Sequence, residues 1–299
     1  MINEPKSHEP SEGHELSEGH GQAEETNDEP PVDHKPSEPH AGQADDEPPI
    51  GNKSSEEHPE QADDVPPVGS EEARGFFMSR SMVPFWLIVI VLIAAAFRFT
   101  GIDWDDGHHL HPDERFLTIV VNDIKWPESN FISSYFDEAN STLNPRNMGK
   151  TFYVYGDFPI NVVKGVVVLM DKVVPREDGQ SWQGYGQSYK VGRVFDGLMD
   201  MGTLLMLFVL GYRLYRDYRI ALLASLLYAG TALAIQQAHF FVVDSFTAFF
   251  VTVALYFMVR MYQDGKLIDY LLAGAFFGIS MSTKLSVFTL CLVVAAVGA

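Results

Sequence analysis

The chain has one cysteine in 299 residues, Cys291, set in an apolar run. An internal disulfide is therefore impossible, and a zinc site built on paired cysteines is excluded. The N-terminal tail does not read as a signal peptide either, because it has neither a basic start nor an apolar segment. Basic residues are scarce in residues 1–72, which hold 3 Lys against 21 Asp and Glu, a net −18 of the chain's −19. The acidity belongs to a tail, not to a fold. With no basic surface on offer, nucleic acid is not an expected partner. Such a tail cannot bury enough apolar surface to fold, and it reads as a disordered tether over 1–75. It carries an 18-residue repeat, with Pro-Pro pairs at 30, 48 and 66, and six of the ten histidines. Each unit is too polar to build a solenoid. Tail metal binding is conceivable, but a solvated tether is the simpler reading.

What residues 76–299 lack is charge in their long apolar runs. The class is an all-α polytopic membrane protein. The first span covers roughly Met82 to Phe97, with Arg80 and Arg98 able to snorkel at its ends. Further runs cover about 190–212, 220–243, 245–260 and 270–299, the last split by Lys284. Segment 158–174 is short and holds Lys164, Asp171 and Lys172, so it reads as a helix lying at the interface. The loop "GYRLYRDYR" gathers Arg213, Arg216 and Arg219 and is therefore cytoplasmic. Counting back puts loop 101–188 outside and the tail inside, provided that 158–174 does not cross.

The chemically suggestive groups then share the outer face. "HHLHPDERF" (108–116) opens the first outer loop. Asp113 and Glu114 follow Pro112, which favours a helix start where carboxylates are stabilised. A partly desolvated carboxylate there suits a general base; the plainer alternative is a solvated loop acid. His108, His109 and His111 beside Asp113 match no closed metal signature, so no metal site is expected. Hydrogen bonds to a sugar or phosphate, or simple solvation, suit them better. Asp244 is the only acid between Ile220 and Tyr262; it either faces a polar cavity or marks a turn between spans. Arg193, Asp196 and Asp200 fall on one helical face, as an ion pair or as substrate contacts. Lys284 is the one charge in residues 270–299 and suits an anionic headgroup, unless it snorkels at a loop tip. The stretch "STLNPRNMGKTFYVYGDFPINVVKG" offers Tyr153 and Tyr155 either as interface anchors or as the lining of a carbohydrate subsite. It begins in "NST" at Asn140, which fits an N-glycosylation acceptor on an outer loop.

The order "HPDERF" (111–116), "LNP" (143–145), "YVYGDFP" (153–159), "VGRVFDGLMD" (191–200), "HFFVVDSFTAFF" (239–250) and "GAFFGISMSTK" (274–284) resembles the GT-C superfamily. Within it the chain is similar to glycosyltransferase family 39, the phospholipid-carrier-dependent transferases that include protein O-mannosyltransferases. It also resembles bacterial and archaeal membrane proteins with a "YYY"-type domain. The resemblance covers about 80–299. It implies a GT-C-like helix bundle in which an acceptor attacks the anomeric carbon of a polyprenyl-phosphate sugar, with inversion. It also implies Asp113 as base, Glu114 supporting it, Asp244 as the second-loop acid, and Lys284 with Arg193 holding the lipid phosphate. Arg115, His111, Tyr153, Tyr155, Asp200 and His239 are the remaining candidate substrate contacts. Expected partners are membrane lipid, the lipid-linked sugar and a protein or lipid acceptor; no cofactor or metal is expected.

The acidic tail departs from the family. So does the stop at Ala299 inside an apolar run, which suggests a fragment holding the catalytic half. Two rival readings stand beside the transferase. A transporter would use the buried charges as a path, but its charges belong at mid-membrane and it often shows inverted repeats, neither of which is seen. A scaffold recruiting partners through its tail would leave the outer-face cluster unexplained.

Overall fold

A computed structural model describes residues 79–298. The acidic tail and its repeat lie outside the described residues. Among those described there is no strand, and the chain is built from α-helices and short 3-10 turns. Helix α1 (Val83–Phe99) has Pro84 in its first turn and no charge until Arg98. After a looped stretch come α2 (Pro112–Asp123), the short α3 (Phe131–Phe136) and α4 (Phe158–Val173). The long α5 (Tyr185–Tyr215) turns at Arg216 into α6 (Tyr218–Ala229). Then follow α7 (Ala232–Gln237), α8 (Val243–Asp264), α9 (Leu267–Met281), a 3-10 turn (Leu285–Leu290) and α10 (Cys291–Gly298).

Among the described residues three helical stretches are long and apolar enough to cross a membrane: Arg80–Phe99, Tyr185–Tyr215 and Val243–Asp264. Helices α6 and α9 are apolar but shorter. The chain is a membrane protein of the all-α class. The expected interfacial helix is α4. It buries Pro159, Ile160, Asn161, Val163, Lys164 and Val167 on one face while Leu169 and Val173 are exposed. Lys164 lies on the buried face and donates to the Val121 carbonyl at 3.0 Å. That carbonyl is in the last turn of α2, where backbone acceptors lack helical partners and a cation is favoured. Burial pushes the Lys164 ammonium down to about 8, partly offset by Asp171 and Asp123.

The span expected over 220–243 is broken. It stops at Ala229, resumes for six residues at Ala232, and unwinds before Val243. The freed carbonyls of Tyr228 and Ala229 are caught by the Arg98 guanidinium at 3.2 and 3.0 Å. Arg98 also pairs with Asp200, whose other oxygen accepts from the Tyr228 hydroxyl at 2.5 Å. Snorkelling was the wrong expectation for Arg98. It is fully buried, because a helix end inside the bundle needs a donor more than the arginine needs water.

The main core joins α2 (Leu117, Val120, Val121), α4 (Ile160, Val163, Val167) and α8 (Val243, Phe246, Phe250) around Phe241. Gly192 of α5 packs against that ring, and a Cβ there would strike it. This core holds the first outer loop down on the spanning helices and so fixes where its acids point.

Candidate active site

The start of α2 is specified locally. The His111 ring nitrogen Nδ1 accepts from the Asp113 backbone N–H at 3.2 Å, and Pro112 occupies the first turn. Consecutive residues on a helix differ by about 100° in direction, so Asp113 and Glu114 face different surroundings. Glu114 turns inward and is fully buried. Asp113 stays half-buried.

Glu114 meets Arg193 in a two-point ion pair, with Oε1 to Nη2 at 2.6 Å and Oε2 to Nε at 2.7 Å. The same guanidinium donates to Asp105 Oδ2 at 2.9 Å and to the Ile102 carbonyl at 2.7 Å. Tyr189 and Phe240 cover it. Burial works against the Asp105 carboxylate, but the hydrogen bond and charge of Arg193 hold its pKa below the usual range. The expected Arg193–Asp196 alternative is not formed: Arg193 faces Glu114 of α2 and the loop residues Ile102 and Asp105, and Asp196 instead faces the segment that leads into α8. Asp196 Oδ2 accepts from the Val242 N–H at 3.2 Å, and Glu114 Oε2 accepts from the Phe241 N–H at 2.8 Å. Two buried carboxylates on different helices thus hold consecutive N–H groups of the strap that leads into α8.

That strap aims Asp244, in the first turn of α8. Lys284 reaches it, Nζ to Oδ1 at 2.6 Å, both side chains a little over a third exposed. Asp113 lies beside Tyr155, close enough for the phenol to feel its carboxylate. Burial first, then the neighbouring Asp113 and the charge of Asp244, push the Tyr155 phenol up to about 12, so it keeps its proton. Backbone geometry brings these parts together. Gly156 N–H donates to the Thr283 carbonyl at 3.0 Å and Phe158 N–H to the Ser282 carbonyl at 3.1 Å. A Cβ on Gly156 would collide with the Ser282 backbone, so glycine is what lets "YGDF" lie against "STK". The Tyr153 hydroxyl donates to the Gly156 carbonyl at 3.0 Å and steadies the same loop from beneath.

The expected residues therefore divide. Asp113, Tyr155, Asp244 and Lys284 come together with exposed polar atoms. Glu114 and Arg193 are engaged with one another and have no exposed side-chain surface. Asp200 lies in the separate Arg98 cluster, and Tyr153 is in the core. His111 packs on Phe240, and exposed Arg115 donates to the His109 carbonyl. His239 directs both ring nitrogens at carbonyls, of Ile235 and Thr100. The other histidines diverge. His108 bonds the Asp105 carbonyl, and His109 packs against Tyr185 and Tyr189, its pKa lowered by burial. Among the described residues no group of three or more His, Cys, Asp or Glu is arranged to hold a metal. Sequence reasoning missed Asp105 and Arg98; acids and bases flanking a span are their only local signal.

The family model for dolichyl-phosphate-mannose-protein mannosyltransferase matches residues 146–299, just over half of the chain. The chain belongs to this mannosyltransferase family. It is a membrane glycosyltransferase of the mannosyltransferase kind. The matched part contains Tyr155, Arg193, Asp244 and Lys284 but begins after Asp113. The tie between Asp113 and the mannosyltransferase match is its closeness to Tyr155, seconded by the neighbouring Glu114–Arg193 pair. Comparison with curated proteins and with solved structures found no match.

Proposed function

We propose that the protein transfers a sugar from a polyprenyl-phosphate donor to a protein or lipid acceptor at the outer membrane face, inverting the anomeric carbon. The observation that carries this reading is the cluster of Asp113, Tyr155, Asp244 and Lys284, which sets a carboxylate and an ammonium on one half-exposed surface. Asp113 takes the proton of the acceptor hydroxyl or amine as its heteroatom attacks C1. The C1–O bond to the lipid phosphate breaks, and the phosphate leaves with the electron pair. An ammonium has three donors. Lys284 spends one on Asp244 and offers the others to the departing phosphate, where charge develops. Tyr155 orients Asp113. Glu114 and Arg193 act as positioning residues, through the loop and the strap into α8. The positive charge is supplied by a side chain, so the reading requires no divalent metal.

The family description names a dolichyl-phosphate-mannose donor and a protein acceptor. It supports a lipid-phosphate donor and makes mannose the first sugar to test. The cytoplasmic side would then hold the acidic tail and the Arg213–Arg219 turn.

The test is transfer of radiolabelled sugar from a polyprenyl-phosphate donor in membranes holding the full chain, with and without EDTA. Asp113→Asn should lower transfer by about 10²-fold or more without altering expression or melting. Wild-type activity should be indifferent to EDTA. Equal transfer by mutant and wild type would remove Asp113 from its role, and EDTA-sensitive transfer would reinstate a metal.

A further inference from the structure

The stretch 141–161 contributes one residue, Tyr155, to the cluster above, yet it also lines a second polar site. A cavity of about 250 Å³ opens beside α3 and the start of α4, walled by Tyr135, Phe136, Asn144, Asp157 and Asn161. Asn161 is buried, only 7% exposed, and neither atom of its amide closes a hydrogen bond. The Tyr135 hydroxyl is near enough to feel that amide without satisfying it. A buried amide without partners is costly, and a ligand in the cavity would supply the partner that the protein does not.

Asp157 points the same way. It stands where α4 needs an N-cap, yet its side chain makes no capping bond. Among the described residues no cation lies within salt-bridge distance of it, and Arg146 acts on it only at longer range. Asp113, Tyr155, Asp244 and Lys284 are not among the residues that line this cavity.

We propose that this cavity binds a neutral monosaccharide unit. A carboxylate accepts from hydroxyl groups, an amide both donates to and accepts from a neighbouring hydroxyl, and aromatic walls at Tyr135 and Phe136 suit the apolar face of a pyranose. A phosphate is disfavoured beside Asp157 and the nearby Glu138. A purely apolar ligand would leave Asn161 unpaired. The larger groove beyond Tyr135, lined by Trp126, Phe131 and Val166, has Asn161 as its one amide and no carboxylate, so it cannot supply what a sugar needs. The sugar belongs to a glycan already on the acceptor, because the donor's own sugar must present its C1 to Asp113 and its phosphate to Lys284. Only that choice of source rests on the transfer reaction proposed above.

Saturation-transfer NMR on the full chain in nanodiscs, with methyl glycosides of mannose, glucose and galactose as probes, tests the binding. At least one probe should give signal, and Asn161→Leu and Asp157→Asn should each weaken it about tenfold or more. Asn161→Leu replaces an unpaired amide by an apolar group of similar shape, so its melting temperature should hold or rise. Signal that survives both substitutions, or no signal from any probe, overturns the proposal. Asp113→Asn separates the two readings: it should retain sugar binding while losing transfer, and loss of binding there would move the sugar to the catalytic cluster and sink this site. In the transfer assay, Asn161→Leu should raise KM only for acceptors already bearing a sugar; a raised KM for donor instead would overturn the acceptor assignment.

Discussion

Asp157 shows how one residue can be tuned against stability. Burial raises its carboxyl to about 6, with Arg146 only partly opposing. Below about pH 3.8, the usual value for an Asp, it is neutral in both folded and unfolded chains and costs nothing. As pH rises through 6 it ionises in the folded protein, and the desolvation cost is then fully present. Asp157→Asn should therefore stabilise the protein at pH 7.5 and not at pH 4. Each pKa unit is worth about 1.4 kcal/mol, and screening at a partly exposed site reduces the total to ~1–2 kcal/mol. Thermal melts at both pH values check this; an equal gain at each would contradict it. The same substitution should weaken sugar binding, so stability and ligand recognition pull in opposite directions at this position. At this scale the sequence was informative about residue type and weak about partners. A lone Lys284 in an apolar run and Asp113 after a proline were both legible. That Arg193 would face Glu114 rather than Asp196 was not, because helical spacing reports neighbours on one face and is silent about residues 79 positions away.

Among the elements, the join between the Tyr155–Phe158 segment and the Ser282–Lys284 turn controls the cluster. It consists of two backbone hydrogen bonds and a glycine with no room for a side chain. Gly156→Ala should force the two segments apart, move Tyr155 relative to Lys284 and lower transfer about tenfold or more. Overpacking of this kind costs ~1–3 kcal/mol, so the protein should still fold. The check is a transfer assay beside a melting curve; full activity with an unchanged melt would show that the join is dispensable. The amphipathic character of α4 and the approximate bounds of α1, α5 and α8 could be read from hydropathy. The break after Ala229 could not. Its carbonyls are satisfied by Arg98, which arrives from 130 residues earlier, and no window around Gly230 contains that information.

For the whole molecule, the arginine-rich turn after α5 and the acids of the first outer loop imply opposite faces. Single cysteines provide the check. In a Cys291→Ser background, Glu138→Cys should react with an impermeant maleimide added outside intact cells. Arg216→Cys should react only after permeabilisation. The reverse pattern would invert the topology and move the proposed chemistry to the cytoplasm.

The two carboxylates that grip Phe241 and Val242 also bear on biogenesis. The chain leaves the ribosome from its N-terminus, so α2 with Glu114 and α5 with Arg193 and Asp196 are synthesised before the strap exists. When residues 240–244 emerge, their backbone N–H groups meet acceptors that are already in place. The second outer loop is thus moulded on the first, and Asp244 acquires its direction from helices made earlier. Swapping the order of these segments by circular permutation would remove that template, even if every contact in the finished protein were kept.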